Sequence, residues 1–157
     1  MSQMDTMLAM LTDATHEVFE TMVNTTLDAR SATKGGVMTA PCGVLGVIAF
    51  AGDYSGSVSF YSSEDTALKV TSAMMGMPAT EVNGEMADAV GEITNMIAGT
   101  FRTKMATRGT RWAISTPSVT VGWQLRTKHY GTVHTGLCEF VMPSGDVMFV
   151  ELVLTEQ

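Results

Sequence analysis

Asp88, Glu92 and Asn95 stand four and three residues apart in the stretch DAVGEITN, with Gly91 between the first two and Gly99 one turn further on. An α-helix turns about 100° per residue, so Glu92, Asn95 and Gly99 fall about 40°, −20° and 20° from Asp88. Met86, Val90, Ile93, Ile97 and Phe101 lie on nearly the opposite side. The pattern predicts a helix that buries an apolar stripe and displays the polar trio. A plain solvated face would give the same periodicity. Against that reading, no Lys or Arg occurs between residues 82 and 101, whereas a solubilising helix face usually mixes cations with acids. Gly91 and Gly99 each cost up to ~1 kcal/mol relative to alanine in a helix. They leave the helix surface bare, so that another backbone or a loop can come close.

A carboxamide both donates and accepts hydrogen bonds, so Asn95 can hold a water and aim it. Phosphoryl transfer relies mostly on positioning and charge neutralisation, and an amide that orients the attacking water is an established device. A carboxylate such as Glu92 would repel a phosphate unless it pairs with a cation on the other molecule. The trio therefore suits half of a shared active site, completed by a phosphorylated partner.

The elements that must position it can be read along the chain. Periodic Met4, Leu8, Leu11, Val18 and Met22 predict a helix from residue 4 to about 29, stopped at Lys34-Gly35-Gly36. VMTAPCGVLGVIAFAG reads as a strand, and SVSFYSS, after the AGDYSG turn, as its hairpin partner. Ser63 caps a short helix closed by Gly76, and Pro78 breaks the chain. A second long helix covers residues 82 to about 107. RWAIS, SVTVGWQLR, TVHTGLCEFVM and DVMFVELVL then read as strands, the last two joined by PSGD. The order α-β-β-α-α-β-β-β, with a fourth late strand, predicts an α+β fold in which two long helices pack on an antiparallel or mixed sheet. No linker divides residues 1–157, which predicts a single domain. DATHEVFE at 13–20 repeats the polar frame of DAVGEITN: Asp13 and Glu17 match Asp88 and Glu92, while Glu20 stands where the amide would be. The echo suggests two halves related by a pseudo-twofold.

The 157 residues suffice for a real core, and 45% hydrophobic content is globular. A net charge of −7 argues against nucleic acid or an anionic membrane as partner and suits one that offers cations. No apolar run reaches the ~20 residues of a membrane span, and the N-terminus lacks a signal peptide's cationic start. Cys42 and Cys138 form no CxxC and read as buried, reduced thiols of a cytoplasmic protein.

Asp88-x3-Glu92-x2-Asn95, in the second long helix of this order, resembles the (Asp/Ser)-x3-Glu-x2-Asn signature of the CheC/CheX chemotaxis phosphatases. VFETM in the first helix and SGSVSFYSS before a helix agree, and the likeness spans nearly the whole chain. One complete copy makes it similar to the CheX type. The resemblance implies hydrolysis of the aspartyl phosphate of a CheY-type response regulator. It implies that Asn95 orients the water, that Glu92 pairs with the receiver's active-site lysine, and that Asp88 holds the local geometry. The chain would need no cofactor of its own, since the Mg²⁺ would belong to the receiver. A homodimer joined through its sheets is also implied, with TVHTGLCEFVM and DVMFVELVL as candidate edges. Glu20 departs from the signature and should leave the first copy inactive, because a carboxylate cannot donate and adds repulsion.

Other chemistry finds less support. His134 and Cys138 share a strand face but His129 falls on the other, short of the four close ligands of structural zinc. TKGG lacks the phosphate-loop spacing, and no Ser-His-Asp or Cys-His set has context. His16 reads as a helix-surface residue, and Trp112 and Trp123 as packed in or beside the sheet. Arg102 could rim the trio. The alternative function is a non-catalytic binding module of the same fold, like the flagellar switch proteins, that docks a phosphorylated receiver.

Overall fold

In the computed structural model, which describes residues 2–155, the chain opens with helix α1 (Gln3–Val18). Ser2 and Asp5 close a reciprocal capping box at its N-terminus. A π-helical turn, Phe19–Val23, carries the helix to Asn24, which sits at φ 53° and stops it. Asparagine tolerates that left-handed conformation better than most residues. The helix thus ends short of residue 29, and strand β1 (Asp28–Lys34) takes the remaining length. Its seven residues, DARSATK, are all exposed, five of them polar and two alanine, so no alternation betrayed a strand. The wider π turn also rotates the helix register. Phe19 and Val23 go into the core, and Met22, expected there, is 37% exposed.

Strands β2 (Cys42–Gly52) and β3 (Ser55–Ser62) form the first hairpin. Helix α2 (Glu64–Met75) is capped by Ser63 and ended by Gly76 at φ 70°, and helix α3 (Gly84–Ala106) follows. Four strands complete the chain: β4 (Trp112–Ile114), β5 (Ser118–Leu125), β6 (Val133–Val141) and β7 (Val147–Thr155). With β1 added to the expected order, three helices accompany one antiparallel sheet of seven strands. The α+β expectation holds.

The sheet runs β1-β6-β7-β3-β2, after which β4 and β5 pair with successive stretches of β2. Exchanging β1 with β5, β6 with β2 and β7 with β3 reproduces the order in reverse. The two halves suggested by the DATHEVFE echo are therefore visible in the topology, about an axis between β3 and β7. The same order corrects the expected edges. β6 and β7 are interior strands, and β1 ends the sheet on one side and β4 and β5 on the other.

One face of the sheet carries Val44, Ile48, Val58, Phe60, Phe140, Val150 and Leu152, and the helices cover it with Leu11, Phe19, Val90, Ile93, Ile97 and Phe101. The opposite face is closed by two irregular segments, residues 36–41 and 126–132. Both are pinned to Glu151 of β7, which is fully buried. Its carboxylate accepts from the Met38 N–H (2.8 Å) and the Tyr61 hydroxyl (2.9 Å) and lies 2.8 Å from His129 Nε2. Three partners satisfy a charge that would otherwise be costly to bury. Burial pushes the Tyr61 phenol well above its ordinary range, and the neighbouring carboxylate adds to the rise.

Trp112 is buried, stacked at 4.6 Å on Phe50. Trp123, also expected to pack in or beside the sheet, points outward from β5 and is 84% exposed. His16 is half-buried rather than on the helix surface, with its ring edge against Phe140 at 5.7 Å.

Candidate functional site

Helix α3 begins at Asn83, whose side chain accepts from the backbone N–H groups of Glu85 (3.1 Å) and Met86 (3.3 Å). Met86, Val90, Ile93, Ile97 and Phe101 are all fully buried, as the periodicity required. That stripe fixes the rotation of the helix and turns residues 88, 92 and 95 outward.

The height of the helix above the sheet is set by one contact. Thr94, buried, donates its hydroxyl to the Val90 carbonyl (2.7 Å) and rests on Gly46 of β2. A Cβ at Gly46 would meet Thr94 Oγ1 at 2.1 Å, so only glycine admits the helix this closely. Three residues along the same strand, the second wall of the site is attached. The Ala49 N–H donates to Ser115 Oγ (3.0 Å), and the Ser115 N–H donates to the Ala49 carbonyl (2.8 Å). The chain then turns through Thr116-Pro117 into β5, since a residue before proline is held extended. β2 therefore carries both sides of what lies between.

Between them is an open groove of about 560 Å³. Ala87, Asp88, Gly91, Glu92 and Asn95 form one side, and residues 114–117 with Val119 form the other. Asp88 and Glu92 are exposed and Asn95 is half-buried. Among the described residues, none of the three side chains makes a hydrogen bond or ion pair. The structure thus brings Asp88, Glu92 and Asn95 together on one accessible ridge. Gly91 lies in this groove, and the loop it admits is the chain's own: a Cβ there would touch Val119 at 3.4 Å and Pro117 at 3.7 Å. Gly99 lies in the next depression along the helix, with nothing within 4 Å of a Cβ. Arg102, exposed, lines that depression too and does not enter the groove of the trio.

The groove presents an amide with free donor and acceptor sites, two uncompensated carboxylates, and an apolar wall of Ile114, Pro117 and Val119. It can hold and point a water while leaving a carboxylate to meet an incoming cation. Residues 114–117 were missed as part of it. Their only trace in the sequence is Pro117 between two short strands, which says that the chain turns and not towards what.

Residues 44–140 match the family described as Chemotaxis phosphatase CheX. The chain belongs to that family. The resemblance of the chain to the CheX type is thereby borne out at the level of the family. A curated relative, the CheY-P phosphatase CheX of Thermotoga maritima, is 36% identical over 94 residues, 59% of this chain and 61% of the relative's length. Chemotaxis protein CheX from Desulfovibrio desulfuricans superposes with a TM-score of 0.86 at 26% identity, covering 94% of this chain and 98% of its own. The CheX of a CheX-CheY-BeF3-Mg²⁺ complex from Borrelia burgdorferi gives 0.82 at 21% identity, over 94% of this chain and 97% of that one, a likeness of fold.

The first-helix echo has another use. Asp13, Glu17 and Glu20 are exposed. Glu17 is bound by Lys104 Nζ at 2.8 Å, which ties α1 to α3. The position that matches Glu92 is thus already neutralised within the chain. Of the residues weighed as metal ligands, His129 is engaged by Glu151, His134 is exposed on β6, and Cys138 is buried 3.6 Å from the Thr12 hydroxyl. No described helix is long and apolar enough to cross a membrane.

Proposed function

We propose that this chain, acting as a single domain, hydrolyses the aspartyl phosphate of a CheY-type response regulator. The observation that carries the proposal is the Asn95 carboxamide, half-buried and unbonded beside the exposed Glu92 in an open groove, within a CheX family member. Asn95 holds a water by its carbonyl oxygen and its NH₂ together and directs it at phosphorus, opposite the aspartyl oxygen. The water oxygen forms the new P–O bond, the bond to the aspartyl oxygen breaks, and the aspartate leaves as a carboxylate with orthophosphate as product. Glu92 pairs with the receiver's active-site lysine and fixes the receiver's orientation. Asp88, one turn back on the same ridge, supports that geometry, and the bare surface at Gly99 gives the receiver room to approach. The Mg²⁺ belongs to the receiver, and this chain supplies no metal ligand to it. The Borrelia complex of this fold with CheY supports a receiver as partner.

Free, buried Cys42 and Cys138 suit a cytoplasmic protein. A homodimer joined edge to edge through the sheet would use β1 or the end formed by β4 and β5, and not β6 or β7.

The deciding experiment compares the unaltered protein with Asn95→Ala, following phosphate release from a phosphorylated receiver. Losing one positioned amide should slow release on the order of 10²-fold or more, with binding of the receiver retained. If the unaltered protein gives no acceleration while still binding, the chain is a docking module. If Asn95→Ala keeps the full rate, the water is oriented by something else.

A further inference from the structure

Nine cations occur in the chain, and most are engaged. Lys69 is held by Asp146, Lys104 by Glu17, and Arg30 by Asp28. Arg126 donates to the Thr39 carbonyl, and Lys128 lies over the Tyr130 ring. Lys34, Arg102, Arg108 and Arg111 make no side-chain hydrogen bond or ion pair with any described residue, although the protein carries a surplus of seven acids. Arg102 and Arg111 stand apart from the other two by their position. They come from different elements and meet at the same place. Both line a depression of about 320 Å³ beside Gly99, floored by the buried Trp112.

Arg111 is placed there firmly. Its N–H donates to the Asp53 carboxylate (2.8 Å), and its carbonyl accepts from the Asp53 N–H (2.9 Å), so the β2–β3 turn fixes its backbone while its side chain stays free. Arg102 sits seven residues past Asn95, about 10 Å along the helix axis. That is well inside the footprint of one docked domain. The helix C-terminus by itself attracts a cation such as Arg102, but it does not account for Arg111, which lies beyond the helix.

The geometry points to Arg102 and Arg111 as an electrostatic anchor that takes carboxylates of the phosphorylated receiver and fixes which way round it docks on α3. The inference rests on the proposed function. A phosphoryl group held with Mg²⁺ is surrounded by carboxylates, since Mg²⁺ takes oxygen ligands. Such a surface would be repelled by a protein of net charge −7 whose ridge begins with Glu85, Asp88 and Glu92. Two unpaired guanidiniums at the other end of the ridge reverse the sign there, and each can grip a carboxylate with two parallel bonds. The ridge then has polarity: carboxylates for the receiver's lysine at one end, guanidiniums for its acids at the other, and the amide between.

The test uses the full chain with a receiver phosphorylated by a small-molecule phosphodonor. Phosphate release is followed against receiver concentration at low and high salt for R102E/R111E, for R102K/R111K and for R108E. Arg108 is also exposed and unpaired but lies outside the depression. The anchor predicts that the double reversal raises KM about 10-fold and flattens its salt dependence, with kcat within about 2-fold, because rim charges act mainly on association. The lysine pair keeps the charge but not the two parallel bonds, so it should recover part of the loss and restore the salt dependence, and R108E should shift KM by less than about 2-fold. Unchanged urea midpoints will show that these exposed substitutions leave the fold intact. An unaltered KM in the double reversal, or an equal effect from R108E, overturns the anchor and leaves the phosphatase reading standing. If the unaltered protein does not accelerate release, the phosphatase reading falls first. The same variants then decide the anchor through their Kd for the phosphorylated receiver, with the same fold-changes expected.

Discussion

Gly46→Ala is the sharpest probe of how the site is held, because it touches no residue of the groove. The added methyl would lie 2.1 Å from Thr94 Oγ1, 3.1 Å from Thr94 Cβ and 3.4 Å from Thr94 Cγ2. Rotation of Thr94 offers little relief, since its hydroxyl is bonded to the Val90 carbonyl and a helix restricts χ1 of a β-branched residue. Reaching an ordinary contact means that α3 retreats by about 1 Å at the residue next to Asn95. Overpacking of this kind costs roughly 1–3 kcal/mol. A 1 Å displacement of a positioning group can cost on the order of 10²-fold in rate. Thr94→Ala removes Oγ1 and Cγ2 and leaves only the tight 3.1 Å approach to Cβ, which a few tenths of an ångström of give will absorb. The double variant should therefore be more stable than Gly46→Ala, with a coupling of roughly 1–2 kcal/mol, and should recover most of the lost phosphate release. Urea unfolding gives the stabilities and receiver dephosphorylation the rates. Gly46→Ala with unchanged midpoint and rate, or additive effects with Thr94→Ala, would refute the claim that this contact sets the helix height.

Three further outcomes follow from local geometry. Gly99→Ala meets nothing within 4 Å, so thermal unfolding should show a gain of roughly 0.5–1 kcal/mol. Gly99→Leu should slow phosphate release about 10-fold or more by obstructing the receiver's approach, and a Leu variant with the full rate would show that the bare surface serves no docking. The Lys69 ammonium beside Asp146, with Ser144, holds the Asp146 carboxyl below its usual value of 3.8. A lowered folded-state value stabilises above pH 3.8, and that contribution is lost as pH falls through the folded value. Asp146→Asn should thus lower the urea midpoint at pH 7 and show a shallower fall with acid than the unaltered protein. Burial raises both thiols above 9.0, so Cys42 and Cys138 should resist alkylation at pH 8 in the native protein and react promptly in urea. Rapid native labelling would contradict their placement.

Much of this molecule was readable in advance, and the reasons for success and failure differ by element. α3 was legible because its buried stripe is strictly periodic. The trio was legible because a helix maps spacing directly onto direction. β1 was not, since an end strand of seven exposed residues, with no side chain more apolar than alanine, has no hydrophobic alternation to show. Trp123 misled because an aromatic in a strand is usually packed, and β5 turns this one to solvent. The strands that end the sheet were misassigned for a deeper reason. β6 and β7 are adjacent in sequence, but β7 pairs across to β3, a connection that no local pattern encodes. The groove's second wall and the meeting of Arg102 with Arg111 depend on the same long-range pairing through β2 and the Asp53 turn.

The position of β7 has a bearing on how the molecule is made. It joins the β1–β6 side of the sheet to the β3–β2 side, and it carries the carboxylate that fastens Met38, Tyr61 and His129. Without residues 147–155 the strand pairings reduce to two separate groups, β1 with β6 and β3 with β2, β4 and β5. The centre is laid last, like a keystone, and a chain interrupted before it keeps every residue of the groove but lacks the span that brings its two halves together.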